Sequence, residues 1–336
     1  MRRCLTSLAV GLTVIAGTIA VSGTAASAAT AKNGKIVFRR WLNDQHTRGD
    51  IFTINPDGTG LFRVTHTVHG ASTEPDPSPD GRWIDYMRIR HGDLGSGRLF
   101  KVHPNGSGRT PLSMTCRGDC IGDGFPDWSD TGLIAFQRNL SADTTKPVGY
   151  SAIFVMKPDG RHVRQITLRS ESSATGNAFY DESPGWSPNG RRIAFDRGRN
   201  TDNLHAIFTV RLNGTDQQRI TPWWLDASQP QYSPDGRWIA FRSAENSDTS
   251  GNIWLVHPDG SKLHKLTHTH PGKGKWQSCA FSPDGQWVVS AKNPIVGGSP
   301  QNADVYIVPV GGGARTNVTN TSAFWESAPD WGTGRA

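Results

Sequence analysis

One sentence is written into this chain again and again. Gln229 to Ser243 reads QPQYSPDGRWIAFRS, and near-copies read EPDPSPDGRWIDYMR, SPGWSPNGRRIAFDR and SCAFSPDGQWVVSAK. Aligned on the glycine of the turn, the copies fall at Gly81, Gly132, Gly190, Gly236, Gly285 and Gly334, at intervals of 51, 58, 46, 49 and 49 residues. A repeat of this period constrains the fold more than any other feature, because each copy must be one supersecondary unit that buries its apolar face against its neighbours.

Within each copy there are four short apolar segments. The first ends in patterns such as PDWS, PGWS and PQYS, and the second reads WIAF, RIAF, LIAF or WVVS. The third reads DIFTI, RLFKV, AIFVM, AIFTV, NIWLV or DVYIV, and the fourth RVT, RQIT, QRIT, HKLT or TNVT. Between the first and second stands Ser-Pro-Asp-Gly, with proline where φ near −65° is wanted and glycine where φ is positive. Between the third and fourth stands a second tight turn, NPDG, HPNG, KPDG or HPDG. Helical spacing is absent, and 38 glycines and 21 prolines suit many short strands. Four strands per unit of this length describe an all-β chain, a β-propeller of four-stranded antiparallel blades. The first copy, at KIVF after Gly34, lacks its own first segment, and the chain closes on a lone first segment, ESAPDWG. The expectation is therefore six blades over residues 34–336, with the C-terminal strand completing the N-terminal blade and removing a free sheet edge.

The pattern P-x-W-S-P-D-G-x-x-I-A-F … D-G … L-T resembles the WD40-like repeat of the TolB family of β-propellers, and it covers the chain after its first thirty or so residues. The resemblance implies the fold. It leaves function open, since related propellers occur with serine peptidases and among sugar-degrading lyases. TolB itself carries an α/β domain ahead of its propeller. Here only a few residues stand between the leader and the first strand, so a Tol–Pal role is not expected. No Gly-x-Ser-x-Gly elbow occurs, which argues against a propeller-type peptidase.

The leader is residues 1–28. Arg2 and Arg3 precede an apolar run from Leu5 to Val21, and Ala26-Ser27-Ala28 offers a cleavage site, so we expect an exported protein, periplasmic, envelope-bound or extracellular, without a membrane span. Losing the two arginines takes the net charge from +7 to +5, a mild excess. With export and no recognition module, that excess does not point to nucleic acid. In an oxidising compartment Cys116 and Cys120 are expected to pair, leaving Cys279 as a buried thiol.

In an up-and-down meander the uniform Ser-Pro-Asp-Gly and Asn-Pro-Asp-Gly turns lie on one face, and the long, unlike loops lie on the other. Binding residues concentrate on such variable loops. Four sets of candidates fall there. One is a basic column following the second strands: Arg40, Arg88, Arg138, Arg197 and Lys292, with Ser243 as its exception. Free, it would suit a carboxylated or phosphorylated polymer; otherwise it would pair with Glu74, Asp123, Glu182, Asp226 and Glu326. The second is aromatic: Trp223, Trp224, Trp276 and Trp325, able to stack on sugars or peptide side chains or to pack between blades. The third is histidine, with His66 and His69 in one loop and His268 and His270 in another, weak candidates for a metal. The last is the Arg117–Asp119 tripeptide between the paired cysteines. The expected function is that of a monomeric, non-enzymatic propeller without a cofactor, binding a protein or cell-envelope glycan on the variable-loop face. The alternative is a polysaccharide lyase or glycosidase acting on acidic sugars.

Overall fold

The structure, a computed structural model, describes residues 32–90, 93–141, 150–168, 179–245 and 250–334. The leader expected over residues 1–28 and most of the loop between Ser141 and Tyr150 lie outside the described residues.

Every extended element is a strand, and the described residues hold one three-residue 3-10 turn, Trp223–Leu225. The strands run in chain order as β1 (Asn33–Trp41), β2 (Gly49–Ile54) and β3 (Phe62–Arg63); β4 (Ala71–Pro77), β5 (Ile84–Arg90), β6 (Asp93–Val102) and β7 (Thr110–Pro111); and β8 (Cys120–Trp128), β9 (Ile134–Leu140), β10 (Tyr150–Met156) and β11 (Arg164–Gln165). They continue as β12 (Phe179–Trp186), β13 (Arg192–Arg199), β14 (His205–Arg211) and β15 (Gln218–Arg219); β16 (Ala227–Tyr232), β17 (Ile239–Ser243), β18 (Ser250–Val256) and β19 (His264–Lys265); β20 (Gly274–Phe281), β21 (Trp287–Val296), β22 (Ser299–Pro300), β23 (Asp304–Pro309) and β24 (Thr316–Asn317); and finally β25 (Glu326–Thr333). Each group pairs as an antiparallel meander, and β25 pairs antiparallel with β1, so the first group takes its missing strand from the far end of the chain.

The repeated words have repeated physical jobs. In the Ser-Pro-Asp-Gly turn, Ser78 Oγ donates to Asp80 Oδ1 at 2.7 Å and accepts the backbone N–H of Trp83 at 2.9 Å. Ser233 and Ser282 do the same with Asp235 and Asp284. The threonine that ends each fourth segment turns inward to satisfy a third-strand backbone N–H: Thr65 serves Ile51, Thr167 Ile153, Thr221 Ile207, Thr267 Ile253 and Thr319 Val305, at 2.9–3.0 Å, and Ser113 serves Leu99 at 2.8 Å. Buried polar groups are satisfied in this way six times over. Between meanders lie apolar clusters, such as Phe38, Phe52, Val289 and Val305.

The first strands share a less expected feature. Glu74, Phe125, Ser183, Gln229 and Ala328 all have left-handed φ, between 47° and 55°, and each precedes a proline. A non-glycine residue there costs about 1–3 kcal/mol, and the following proline disfavours helical backbone further. The strand register shifts at these points, between Thr73 and Asp76, Gly124 and Asp127, Glu182 and Gly185, and Ser228 and Gln231. Each is a bulge, which bends the strand and re-aims its side chains.

Candidate functional site

The bulged segments converge. Glu74-Pro75, Phe125-Pro126, Ser183-Pro184, Gln229-Pro230, Ser278-Cys279 and Ala328-Pro329, one from each of six first strands, line a neck of about 60 Å³. On the variable-loop side the neck opens into a cavity of about 400 Å³. On the Ser-Pro-Asp-Gly side it opens into another of about 220 Å³, walled by Asp76, Asp127 and Asp330.

The outer cavity is lined by ionisable groups of both signs: Arg39, Arg242 and Lys275 against Glu74, Glu182 and Asp196, with His205 beside them. Arg39 and Glu74 approach to 3.5 Å. Arg242 donates through Nε to Ser228 at 2.8 Å, and neither it nor the exposed Lys275 forms an ion pair among the described residues. His205 is held by Asp226, whose Oδ1 accepts from both the backbone N–H (3.0 Å) and Nδ1 (2.9 Å) of the histidine. Tyr180 OH meets Nε2 at 3.1 Å. Burial works against the imidazolium, but the bond to Asp226 and the charges of Asp196, Asp226 and Glu182 outweigh it and raise its pKa. Burial and the charge of Asp196 push Glu182 up to about 7. Burial likewise raises Asp196.

Few of the candidates taken from the sequence stand at this mouth. Arg40, Arg138 and Arg197 are buried in ion pairs with Glu326 (2.5 Å), Asp123 (2.7 Å) and Asp181 (2.6 Å). Each also lies over phenylalanines, Arg138 at 5.3 and 5.1 Å from Phe136 and Phe154. They cap the apolar columns and are not a free ring. The expected partner is corrected at three places. Arg197 takes Asp181, not Glu182; Glu74 faces Arg39, not Arg88; and Asp226 holds His205. The strand register explains this. The residue opposite the basic position is Glu326, Asp123 or Asp181, but Ser72 opposite Arg88, Ala227 opposite Ser243 and Trp276 opposite Lys292. Trp276 fills the position of the missing acid, with Lys292 Nζ 5.6 Å over its ring, and at 1% exposure it can stack on no ligand. Trp325 lines the mouth, edge-on to His46 at 4.7 Å. The tight turn at Trp223–Leu225 splits its two tryptophans: Trp223 packs against Phe179 and under Arg199 at 4.2 Å, whereas Trp224 is 55% exposed. His66, His69, His268 and His270 are exposed, and none joins a group of three or more metal-ligating atoms among the described residues. Cys116 and Cys120 form a disulfide, and Cys279 is a buried thiol at the neck whose pKa burial raises. His205, Asp196, Arg242 and Lys275 were not singled out from the sequence. Asp226 lies in a variable loop and His205 opens β14 where such a loop ends, and that placement was the signal.

This strand order and these bulged, converging first strands are those of a β-propeller. More narrowly, the fold is that of a TolB-like propeller domain. TolB from Acinetobacter baumannii superimposes with a TM-score of 0.66 at 18% identity, over 88% of this chain and 66% of that one. A TolB-like structure from Agrobacterium tumefaciens gives 0.61 at 19%, over 90% and 100%. An oligogalacturonate lyase in complex with manganese gives 0.55 at 13%, over 82% and 72%. In sequence, the chain is 37% identical over 86 residues to the Tol-Pal system protein TolB of Zymomonas mobilis, 26% of this chain and 17% of that protein. It is 29% identical over 148 residues to an uncharacterised protein of Agrobacterium fabrum, 44% and 47% of the two. The matches thus span less than half of these relatives. No family model matches the chain.

Proposed function

We propose that this chain is an exported, non-enzymatic propeller that docks an extended segment of a partner protein into the mouth framed by the variable loops. The same reading takes the six meanders as six blades in a ring closed by β25, supported by the β25–β1 pairing. Export is supported by the leader pattern, and no helix among the described residues is long and apolar enough to cross a membrane. The observation that carries the function is convergence: all six first strands contribute to the cavity of about 400 Å³. That size suits a few residues of extended peptide, given ligand sites of roughly 300–1,000 Å³. A larger groove of about 930 Å³ opens between Lys35, Trp83 and His103, but it draws on one side of the molecule. Arg242 and Lys275 favour a segment carrying a carboxylate, either an acidic side chain or a free C-terminus. The lyase alternative asked for free arginines, and the three buried ion pairs work against it.

A displayed peptide library panned on the wild type and on Arg242→Glu/Lys275→Glu, with a glycan array in parallel, tests the reading. Enrichment of acidic peptides by the wild type, lost in the charge-reversed variant, is expected. Equal enrichment by both proteins, or glycan binding alone, refutes it.

A further inference from the structure

Beyond the partner, the mouth holds a constellation that neither the fold nor the repeat requires. Glu182 comes from β12, Asp196 from β13 and His205 from β14, and one ligand atom of each lies within 4.8 Å of the others. We propose that these three residues bind a divalent transition-metal cation of the Zn²⁺ or Mn²⁺ class.

The argument rests on three observations. First, the donor set is selective. One imidazole nitrogen with two carboxylates suits borderline cations, where an all-oxygen cage would favour Ca²⁺ or Mg²⁺. Ligands about 2.1 Å from a metal lie at most about 4.2 Å apart, so small side-chain rotations close the set. Second, the histidine is already oriented as a ligand. Asp226 accepts both Nδ1–H and the backbone N–H of His205, which fixes the ring and presents Nε2 as the lone-pair atom, with only the Tyr180 hydroxyl on it. A carboxylate behind a histidine is the usual support of a metal-binding imidazole. Third, an acceptor is left over. Gln137 is 4% exposed; its Nε2 donates to Glu182 Oε1 at 3.1 Å, and the Oε1 of that same amide has no hydrogen-bond partner among the described residues. The amide that holds Glu182 thus keeps a buried, unused acceptor. The remaining coordination positions face the cavity, because all three ligands line it.

The inference stands apart from the peptide reading, since the metal can bind with or without a partner. Full-length protein stripped with chelator and dialysed is titrated calorimetrically with Zn²⁺ and Mn²⁺, with Ca²⁺ and Mg²⁺ as controls. Co²⁺ is added as a spectroscopic reporter of nitrogen and oxygen ligation. The same is done for Glu182→Gln, His205→Gln and the supporting variant Asp226→Asn, with circular dichroism and thermal unfolding to verify folding. Expected is one saturable site per chain, lost in the two ligand variants and weakened about 10-fold or more in Asp226→Asn, with a Co²⁺ spectrum that vanishes in His205→Gln. No saturable binding by folded wild type overturns the proposal, as does binding unchanged in both ligand variants. Arg242→Glu/Lys275→Glu retains the metal in either case, so failure of one reading is separable from failure of the other.

Discussion

Replacing Asp330 by asparagine should make this protein more stable at neutral and alkaline pH. Asp330 lies in the wall of the inner cavity with Asp76 and Asp127, and Asp85 stands opposite Asp76 in the β4–β5 register. Burial raises Asp76 and Asp85 well above the carboxylate range, the charges of their neighbours adding to it. Burial also pushes Asp127 up to about 6 and Asp330 up to about 7. Asp85 is fully buried, and neither of its carboxylate oxygens has a partner among the described residues. Four neighbouring buried acids cannot all ionise.

The sign follows. In the unfolded chain Asp330 ionises near its ordinary 3.8, while in the fold it holds its proton to about 7. Between those values the folded state binds more protons, so stability falls as pH rises and is fully lost from this group above about pH 7. At about 1.4 kcal/mol per pH unit the loss is on the order of 4 kcal/mol. Asparagine reproduces the neutral acid: its oxygen can accept the Trp331 N–H. Asp330→Asn should therefore match the wild type near pH 4 and exceed it near pH 8 by about 4 kcal/mol, roughly 6 °C in Tm for a chain of this size. Thermal unfolding followed by circular dichroism across that range reads both. A wild-type Tm that does not fall over that interval, or an equal offset of the variant at both ends, refutes the reasoning.

Three further outcomes test the repeat's internal chemistry. Arg138→Met strands Asp123, which is 1% exposed, and should cost about 3–5 kcal/mol in denaturant unfolding; adding Asp123→Leu should restore most of it, and an additive double variant would deny the pairing. Thr221→Val leaves the Ile207 N–H without its acceptor and should cost about 1–3 kcal/mol, whereas the exposed Thr110→Val should change stability little. Cys116→Ser/Cys120→Ser opens a loop of only a few residues, so its loss should be no more than about 2 kcal/mol, measured against the wild type with and without reductant.

The fold was legible because it is written repeatedly. Ser-Pro-Asp-Gly declares a turn by its own dihedral preferences, and alternation around it declares strands. The topology then says which loops share a face. The bulges at Glu74, Phe125, Ser183, Gln229 and Ala328 were not legible. A residue before proline is expected to be extended, and these five stand left-handed at the neck instead. The misassigned ion pairs come from unequal offsets: Asp123, Asp181 and Glu326 stand two residues before the left-handed residue, whereas Glu182 stands directly before it and Glu74 is that residue. Counting along a strand finds an acid near an arginine, but a one-residue shift moves every side chain to the other face. So Glu182 was matched to Arg197, although Asp181 faces that arginine and Glu182 faces the mouth.

The columns also show why ligand chemistry is found where copies differ. A buried arginine and its acid are tolerated together, because removing one leaves the other charged and dry. Accordingly the pair is whole at Arg40–Glu326, Arg138–Asp123 and Arg197–Asp181, and absent as a pair at Ser243 and Ala227. Glu182, Asp196 and His205 obey no such pairing. The positions equivalent to Glu182 beside the bulge are Thr73, Gly124, Ser228, Gln277 and Ser327, all uncharged. A carboxylate kept at one of six equivalent positions, buried and with its pKa raised, contributes nothing the other five units need for folding. Its energetic cost is borne in one unit only, at the mouth, where a bound cation would offset it.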